Sequence, residues 1–248
     1  MTDADSDLDR TVLVTGAATG IGQAIAGRIA AEGAHVVVTD VQDGSETVES
    51  IIDAGGSAEF READVTDSGS LEAALEGLEL DALVNNAAYY APLVGNKKRF
   101  DEIEPEEWDT VMGVNAKGVY LASRAALPHL EPGSAIVNIS SSTALKGTTG
   151  FLHYVASKAA VLGMTRAMAN ELGDLDIRVN AVAPGFTASE ASLQAGEGYV
   201  NTRAESQALS KRAIQPDDIA DAVAFLAGPE SEMISGQTLT VDGGRRMS

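Results

Sequence analysis

Tyr154 and Lys158 stand four positions apart in HYVASK, residues 153–158, and each side chain carries a proton that can be lost. Positions four apart on a helix share a face. A phenol with a free pKa near ~10 is a poor base at neutral pH, but a nearby ammonium favours the phenolate by about 1.4 kcal/mol for each pKa unit. Such a couple could take a proton from an alcohol or return one to a forming alkoxide. The same string also suits an ordinary amphipathic turn, so its surroundings must decide. His153 adjoins the tyrosine, but adjacent positions on a helix point in different directions, and we expect it to face elsewhere.

A second stretch with chemical potential is TGAATGIG, residues 15–22. Gly16, Gly20 and Gly22 permit a tight turn between a strand and a helix, and bring backbone N–H groups close to a pyrophosphate at the helix N-terminus. The spacing is T-G-x-x-x-G-x-G and not G-x-G-x-x-G, and glycine turns also occur for packing alone. Asp40 ends the next predicted strand, about where an acid can accept hydrogen bonds from the adenosine ribose and repel a 2′-phosphate. No Arg or Lys lies within the glycine turn, and Val41 follows Asp40. These features predict NAD, and not NADP, as the cofactor.

These residues need elements to position them. TVLVT (11–15), HVVVTD (35–40), DALVNN (81–86), SAIVNIS (134–140), IRVNAVA (177–183) and QTLTV (237–241) read as buried strands, and SAEFREADV as a strand to about Asp64. Helical periodicity follows Ile21, stops at Gly33, and returns in SLEAALEGL. A long helix is expected from about Pro105 past Leu127, another through Tyr154 to Leu172, and a last one opening at Pro216. Alternating strands and helices predict an α/β, doubly wound (Rossmann) parallel sheet with helices on both faces, in one domain over 10–248. The polar stretch 188–212 is expected to be a substrate lid.

Composition narrows the class. The 248 residues are 44% apolar, with no cysteine, so disulfides and thiolate chemistry are excluded and a cytoplasmic location is expected. The opening MTDADSDLDR is acidic and polar; we expect a disordered tail over 1–9 and no targeting signal. No apolar run is long enough to cross a membrane. Asp and Glu number 37 against 17 Lys and Arg, a formal charge of −20, and lysine is confined to Lys97, Lys98, Lys117, Lys146, Lys158 and Lys211. This balance disfavours nucleic acid and predicts a halophilic cytoplasm, where salt screens self-repulsion.

Together, TGAATGIG, Asp64-Val65, NNAA (85–88), Asn115 in VNAKG, the serines of NISSS, YVASK and Pro184-Gly185 resemble the single-domain short-chain dehydrogenase/reductases from about Thr11 to Gly244. The resemblance implies a tetrad of Asn115, Ser141, Tyr154 and Lys158, with Ser141 orienting the substrate oxygen and flanked by Ser140 and Ser142. It implies cofactor contacts at Gly16, Thr19, Gly20, Ile21, Gly22, Asp40, Asp64, Val65, Asn85, Tyr154, Lys158, Pro184, Gly185, Thr187 and Ser189. Asp64 and Val65 would hold the adenine, Asn85 the adenosine ribose, Lys158 the nicotinamide ribose, and Thr187 with Ser189 the carboxamide. Asn115 falls inside the predicted long helix, where Asn is not favoured, and a local kink with a water linking Lys158 to solvent is expected. Ala88 stands where the family usually has glycine, and Ser189 where it often has threonine. The family also implies a homotetramer or dimer, with helices around 105–130 and 152–172 and the C-terminal segment at the contacts.

The expected activity is hydride transfer between NAD(H) and a small secondary alcohol or ketone, such as a cyclic alcohol, polyol, sugar or sugar acid. The competing readings are an NADP-linked ketoacyl or carbonyl reductase and a non-catalytic dinucleotide sensor. Tyr89 and Tyr90 follow a strand end and could line the substrate pocket. GNKKRF (95–100) is a basic patch that could attract an acidic substrate or form a salt bridge. Trp108 is expected to pack the long helix against its neighbours. His35 and His129 are expected to be structural or exposed, and no metal is expected.

Overall fold

Seven parallel strands form one sheet in the order β3-β2-β1-β4-β5-β6-β7. In chain order the elements are β1 (Thr11–Thr15), α1 (Gly20–Ala30), β2 (His35–Asp40), α2 (Ser45–Asp53), β3 (Ser57–Glu62), α3 (Ser68–Leu75) and β4 (Leu80–Asn85). There follow the short α4 (Ala91–Val94), α5 (Pro105–Met112), a π-helical turn (Gly113–Lys117), α6 (Gly118–Ala126), β5 (Leu130–Ile139), the short α7 (Ser142–Lys146) and α8 (Leu152–Leu172). The chain ends with β6 (Arg178–Pro184), α9 (Pro216–Ala227) and β7 (Thr238–Val241). This computed structural model describes residues 10–189, 205, 207–209 and 212–245; the expected tail over 1–9 and most of the expected lid lie outside them. A parallel bridge joins Thr187 to Ile214.

The strands are apolar on both faces because helices cover both. Val12, Val14, Val36 and Val38 pack with Ile25 and Ile29 of α1 and with Ile219 and Val223 of α9. The alternate residues Leu13 and Val37 pack on the opposite face with Leu83, Ile136 and Val179, against α6 and α8. From β1 the chain winds outward to β3, then returns to β4 on the other side of β1. The connections after β1 and β4 therefore diverge, and a crevice opens above the carboxyl ends of these two strands. Among the described residues, no helix is long and apolar enough to cross a membrane.

Three boundaries differ from expectation, each for a local reason. The single helix from Pro105 past Leu127 is divided by the π-helical turn that carries Asn115, whose side chain is fully buried. The wide turn supplies the expected irregularity. Strand β3 ends at Glu62, short of Asp64, because the Asp64 carboxylate accepts hydrogen bonds from the Thr66 N–H and Oγ1 and closes a turn. Strand β5 starts at Leu130, before the apolar run, and its pairing with β4 slips between Leu80 and Ala82 to absorb the extra residues.

The glycine turn is locked to the residues after β4. Asn86 donates through Nδ2 to the Gly16 carbonyl at 2.8 Å, and the Thr15 hydroxyl accepts from the Asn86 and Ala87 N–H groups. A Cβ on Gly22 would stand 2.1 Å from the Gly16 carbonyl oxygen and 2.5 Å from Asn86 Nδ2. Gly22→Ala must therefore displace backbone, and we expect it to cost about 1–3 kcal/mol. For a chain of this size that is a fall in Tm of roughly 2–4 °C per kcal/mol, read by thermal unfolding without added ligand.

Candidate active site

The crevice holds two connected cavities. The larger is a trough of about 1150 Å³. Gly16, Thr19, Gly20, Ile21 and Gly22 form one wall, and Asp40, Asp64 and Val65 close one end. The smaller is a chamber bordered by Ser141, Tyr154, Lys158, Pro184, Gly185 and Thr187. Ile21, Asn86, Ala88, Tyr90 and Ser189 border both.

The trough suits a dinucleotide. Thr19 makes no side-chain cap on α1, so the first-turn N–H groups lack the usual partner. Gly20, at φ +63°, would send a Cβ into open space, its nearest contact being Ser189 Cβ at 4.0 Å. An anion can therefore approach the start of the helix closely. Asp40 is buried; its Oδ2 accepts from the Ala18 N–H at 3.1 Å and its Oδ1 from the Gln42 N–H at 3.0 Å. These bonds aim a carboxylate at the trough and brace the glycine turn at once. Val65 packs on Gly118, where a Cβ would lie 2.8 Å from Val65 Cγ2, and Asp109, Thr110, Gly113 and Val114 just before it border the trough.

Around the chamber, β5 and α8 bring the other groups together. The serine register is set by direction. Ser140 Oγ donates to the Lys158 carbonyl at 2.7 Å, tying the strand to α8. Ser141 faces the chamber, caps α7 by accepting from the Thr143 N–H, and hydrogen-bonds the Tyr154 phenol. Lys158, almost fully buried, donates from Nζ to the Ile139 carbonyl at 2.8 Å. Asn115 Oδ1 accepts from the Tyr89 N–H at 2.6 Å, and Nδ2 donates to Ser157 Oγ at 3.3 Å. Asn115 thus reaches α8 one position from Lys158, but its side-chain bonds go to Tyr89 and Ser157 and not to the lysine.

Two expected site residues border neither cavity: Asn115, which is buried behind the chamber on Tyr89 and Ser157, and Asn85. Asn85 Nδ2 donates to Ser123 Oγ and to Asn138 Oδ1 inside the sheet, and Asn138 continues to Thr165. The next residue, Asn86, borders both cavities. The last strand residue points into the core, and its successor is released to the crevice.

The electrostatics also correct an expectation. Burial, with Tyr90 alongside, pushes the Tyr154 phenol up, and the Ser141 hydrogen bond only partly opposes this. Tyr154 is half-buried, so its partial exposure softens the push. Burial lowers Lys158 to about 8. The lysine therefore loses its proton before the phenol does, and is neutral when the phenol titrates. Lys158 is not among the groups that shift the phenol, so the expected depression by its ammonium is not found here.

Further groups support this arrangement. The Tyr90 ring lies 5.2 Å from the Tyr154 ring, centroid to centroid, and Phe151 packs edge-on at 6.3 Å. His153 faces away from the chamber, as expected, but does specific work: Nδ1 accepts from the Tyr154 N–H at 3.0 Å, so Nε2 carries the proton donated to Glu107 at 3.1 Å. Glu107 also pairs with Lys98, and these two contacts hold its carboxyl below the usual range. An orphan N–H in the first turn of α8 is thereby satisfied from within the helix. The sequence signalled neither partner, since Glu107 lies on a separate helix. His153→Leu should lower stability by about 1–3 kcal/mol in thermal unfolding, whereas His153→Asn, which retains an acceptor, should recover part of the loss.

Comparison with known proteins finds relatives over nearly the whole chain. The family profile described as enoyl-(acyl carrier protein) reductase matches residues 16–246. A cyclopentanol dehydrogenase of Comamonas sp. is 37% identical over 246 residues, covering 95% of this chain and 96% of that protein. A 3-oxoacyl-(acyl-carrier-protein) reductase of Thermotoga maritima is 34% identical over 250 residues, covering 95% and 97%. A solved structure from Agrobacterium tumefaciens, provisionally described as a 2-deoxy-d-gluconate 3-dehydrogenase with bound NADP, aligns with a TM-score of 0.85 at 32% identity, covering 95% and 96%. With a seven-stranded parallel sheet, a glycine turn at its crevice and Tyr154 beside Lys158, the chain belongs to the short-chain dehydrogenase/reductase family of oxidoreductases.

Proposed function

We propose that this protein transfers hydride between NAD(H) and the secondary alcohol or ketone of a small polar substrate. The observation that carries the reading is the continuity of the trough with the chamber of Ser141, Tyr154 and Lys158. In this reading the α1 N-terminus holds the pyrophosphate, Asp40 the adenosine ribose, and Asp64 with Val65 the adenine. Lys158 holds the nicotinamide ribose, and Pro184, Gly185, Thr187 and Ser189 frame the carboxamide. When bound, the nicotinamide supplies the acceptor or donor of the hydride.

Ser141 donates a hydrogen bond to the substrate oxygen, where negative charge builds during reduction. Tyr154 delivers its phenolic proton to that oxygen. In the opposite direction the phenolate takes the alcohol proton as the C–H bond breaks and the carbonyl forms. Asn115 holds the Tyr89 backbone and Ser157, fixing the loop after β4 against α8. The upward push on the phenol keeps Tyr154 protonated across the neutral range, a state ready for carbonyl reduction.

A second reading, NADP-linked reduction of a ketoacyl or carbonyl substrate, draws on the Thermotoga relative and on the NADP in the Agrobacterium structure. Asp40 at the end of the trough opposes a 2′-phosphate and favours NAD. A dinucleotide sensor would have no use for the Ser141–Tyr154–Lys158 arrangement. We also infer association into a homotetramer or dimer, supported by the exposed apolar Tyr120 on α6 and Leu152 on α8. The charge of −20 supports work in a salt-rich cytoplasm, so assays belong in molar salt.

Cofactor choice is tested by the ratio of kcat/KM for NAD over NADP. Asp40→Ser should lower that ratio about tenfold or more, and the native preference should shrink as salt screens the repulsion. An unchanged ratio would remove Asp40 from cofactor selection. For the proton step, a raised phenol pKa means a donor that persists through neutral pH and a base that forms only in alkali. Carbonyl reduction should therefore stay flat through neutrality and decline in strong alkali, while alcohol oxidation climbs with pH. Tyr154→Phe should lower both by roughly 100-fold or more. Native-like turnover by that variant would sink the assignment.

A further inference from the structure

Ser141 Oγ meets the backbone and the side chain of Thr143 and the phenol of Tyr154, and its hydrogen bonds can be counted. It accepts from the Thr143 N–H at 3.2 Å, lies 2.9 Å from Thr143 Oγ1, and hydrogen-bonds the Tyr154 phenol. A serine hydroxyl has one proton and two lone pairs. The N–H can only donate, so it fills one lone pair. Two orders remain for the rest. In the first, the Thr143 hydroxyl donates into the second lone pair, and the serine proton turns to the phenol oxygen and the chamber. In the second, Ser141 donates to Thr143 Oγ1, and its open lone pair draws the phenolic proton. Ser141, Thr143 and Tyr154 all border the chamber, so the choice is made beside the place for a substrate oxygen.

Resting on the dehydrogenase reading above, we propose that Thr143 is a positioning residue that sets the first order: it donates to Ser141 through both its N–H and its hydroxyl, and so aims the serine proton into the chamber. The local structure supplies the means. Ser141 is extended, at φ −160° and ψ 146°, and caps α7, a role that needs only the N–H two positions on. A threonine at that position adds a second donor from the same residue. Ser140 does not compete for this part, since its hydroxyl donates to the Lys158 carbonyl. With both lone pairs filled, Ser141 is polarised as a donor. A substrate oxygen then meets two converging protons, one from Ser141 and one from Tyr154, and the phenolic proton is not held by serine. In the second order both protons run along the line of hydroxyls, away from the substrate. The benefit falls on the state in which negative charge has built on the substrate oxygen, so it belongs in kcat.

The test uses the full chain in molar KCl with NADH and a ketone panel of cyclopentanone, cyclohexanone and 2-butanone. Thr143→Val keeps the N–H and the branched shape but removes the hydroxyl. It should lower kcat about three- to tenfold, the effect of one neutral hydrogen bond, with KM for NADH unchanged. Thr143→Ser, which restores the hydroxyl, should recover most of the loss. In a Ser141→Ala background the valine should cause no further loss, because Thr143 acts through Ser141. Native kcat in Thr143→Val overturns the proposal, as does a serine variant as slow as the valine one. An equal loss in the Ser141→Ala background also overturns it, for Thr143 would then meet the substrate itself. A second readout does not need turnover: neutron diffraction from a deuterated crystal should place the Thr143 hydroxyl deuteron toward Ser141 Oγ and the Ser141 deuteron toward the chamber. A Ser141 deuteron directed at Thr143 overturns the proposal. Silence of the native protein with every ketone would sink the dehydrogenase reading, while the deuteron positions would still decide the order of the hydroxyls.

Discussion

A buried lysine joins the two elements on which the active site is built. Lys158 Nζ reaches back to the Ile139 carbonyl at the end of β5, while Ser140 Oγ reaches forward to the Lys158 carbonyl. These two bonds cross the same gap in opposite directions and set the height of α8 above the sheet. Ser141 leaves the strand at that point, and Tyr154 lies one helical turn before Lys158, so the phenol and the serine hydroxyl can meet. A lysine in this place without its carbonyl partner would be an unsatisfied buried donor, and its desolvation would work against the fold. Burial already lowers it to about 8, below its unfolded value of 10.5. The unfolded chain binds more protons between those values, so this group opposes folding at neutral pH and the opposition fades as pH rises through that window. The fold tolerates a stability cost in order to keep a cation beneath the chamber.

The other half of the site depends on chain direction. Because the connections after β1 and β4 diverge, the Thr15 hydroxyl can accept from the two N–H groups that follow Asn85, and Asn86 can return a bond to the Gly16 carbonyl. Gly16 and Gly22 are required by this interlock itself, since side chains there would strike protein atoms. Gly20 is different: its missing Cβ would meet almost nothing but the trough. Three glycines that look alike in sequence therefore answer to two constraints, packing within the protein and approach by a ligand.

This distinction shows what could be read in advance. Strand and helix order follow from apolar runs and their periods, and the sheet forms as TVLVT, HVVVTD and DALVNN require. The tyrosine with its lysine and the glycine turn are ambiguous as local strings; the ordered motifs around them give them meaning, and both border the connected cavities. Other features depend on contacts between distant segments. The sequence cannot say which asparagine of the NNAA pair leaves the strand, because that is decided by where β4 stops pairing with β5; Asn85 remains paired opposite Asn138 and is lost to the core. Neither could the partner of His153 be found, since Glu107 is 46 positions away. The irregularity at Asn115 was legible as an unsuitable residue in a long helix, but its form, a π-helical turn followed directly by Gly118 packed on Val65, belongs to packing.

The order in which Lys158 and Tyr154 lose their protons decides what each does for the other. At neutral pH a lysine near 8 still carries its charge in most molecules, and a phenol pushed upward by burial carries its proton. The resting pair is thus ammonium and neutral phenol, with little attraction between them. In the proposed reduction, the phenol gives its proton to a substrate oxygen and leaves a phenolate one helical turn from that ammonium, where low solvation favours their attraction. The lysine acts on the state after proton transfer more than on the state before it. A cation that lowered the resting phenol would make a better base but a phenol with less tendency to remain the donor. Burial of both groups reserves their interaction for the moment at which charge appears, the condition under which binding energy lowers a barrier and does not merely deepen the ground state.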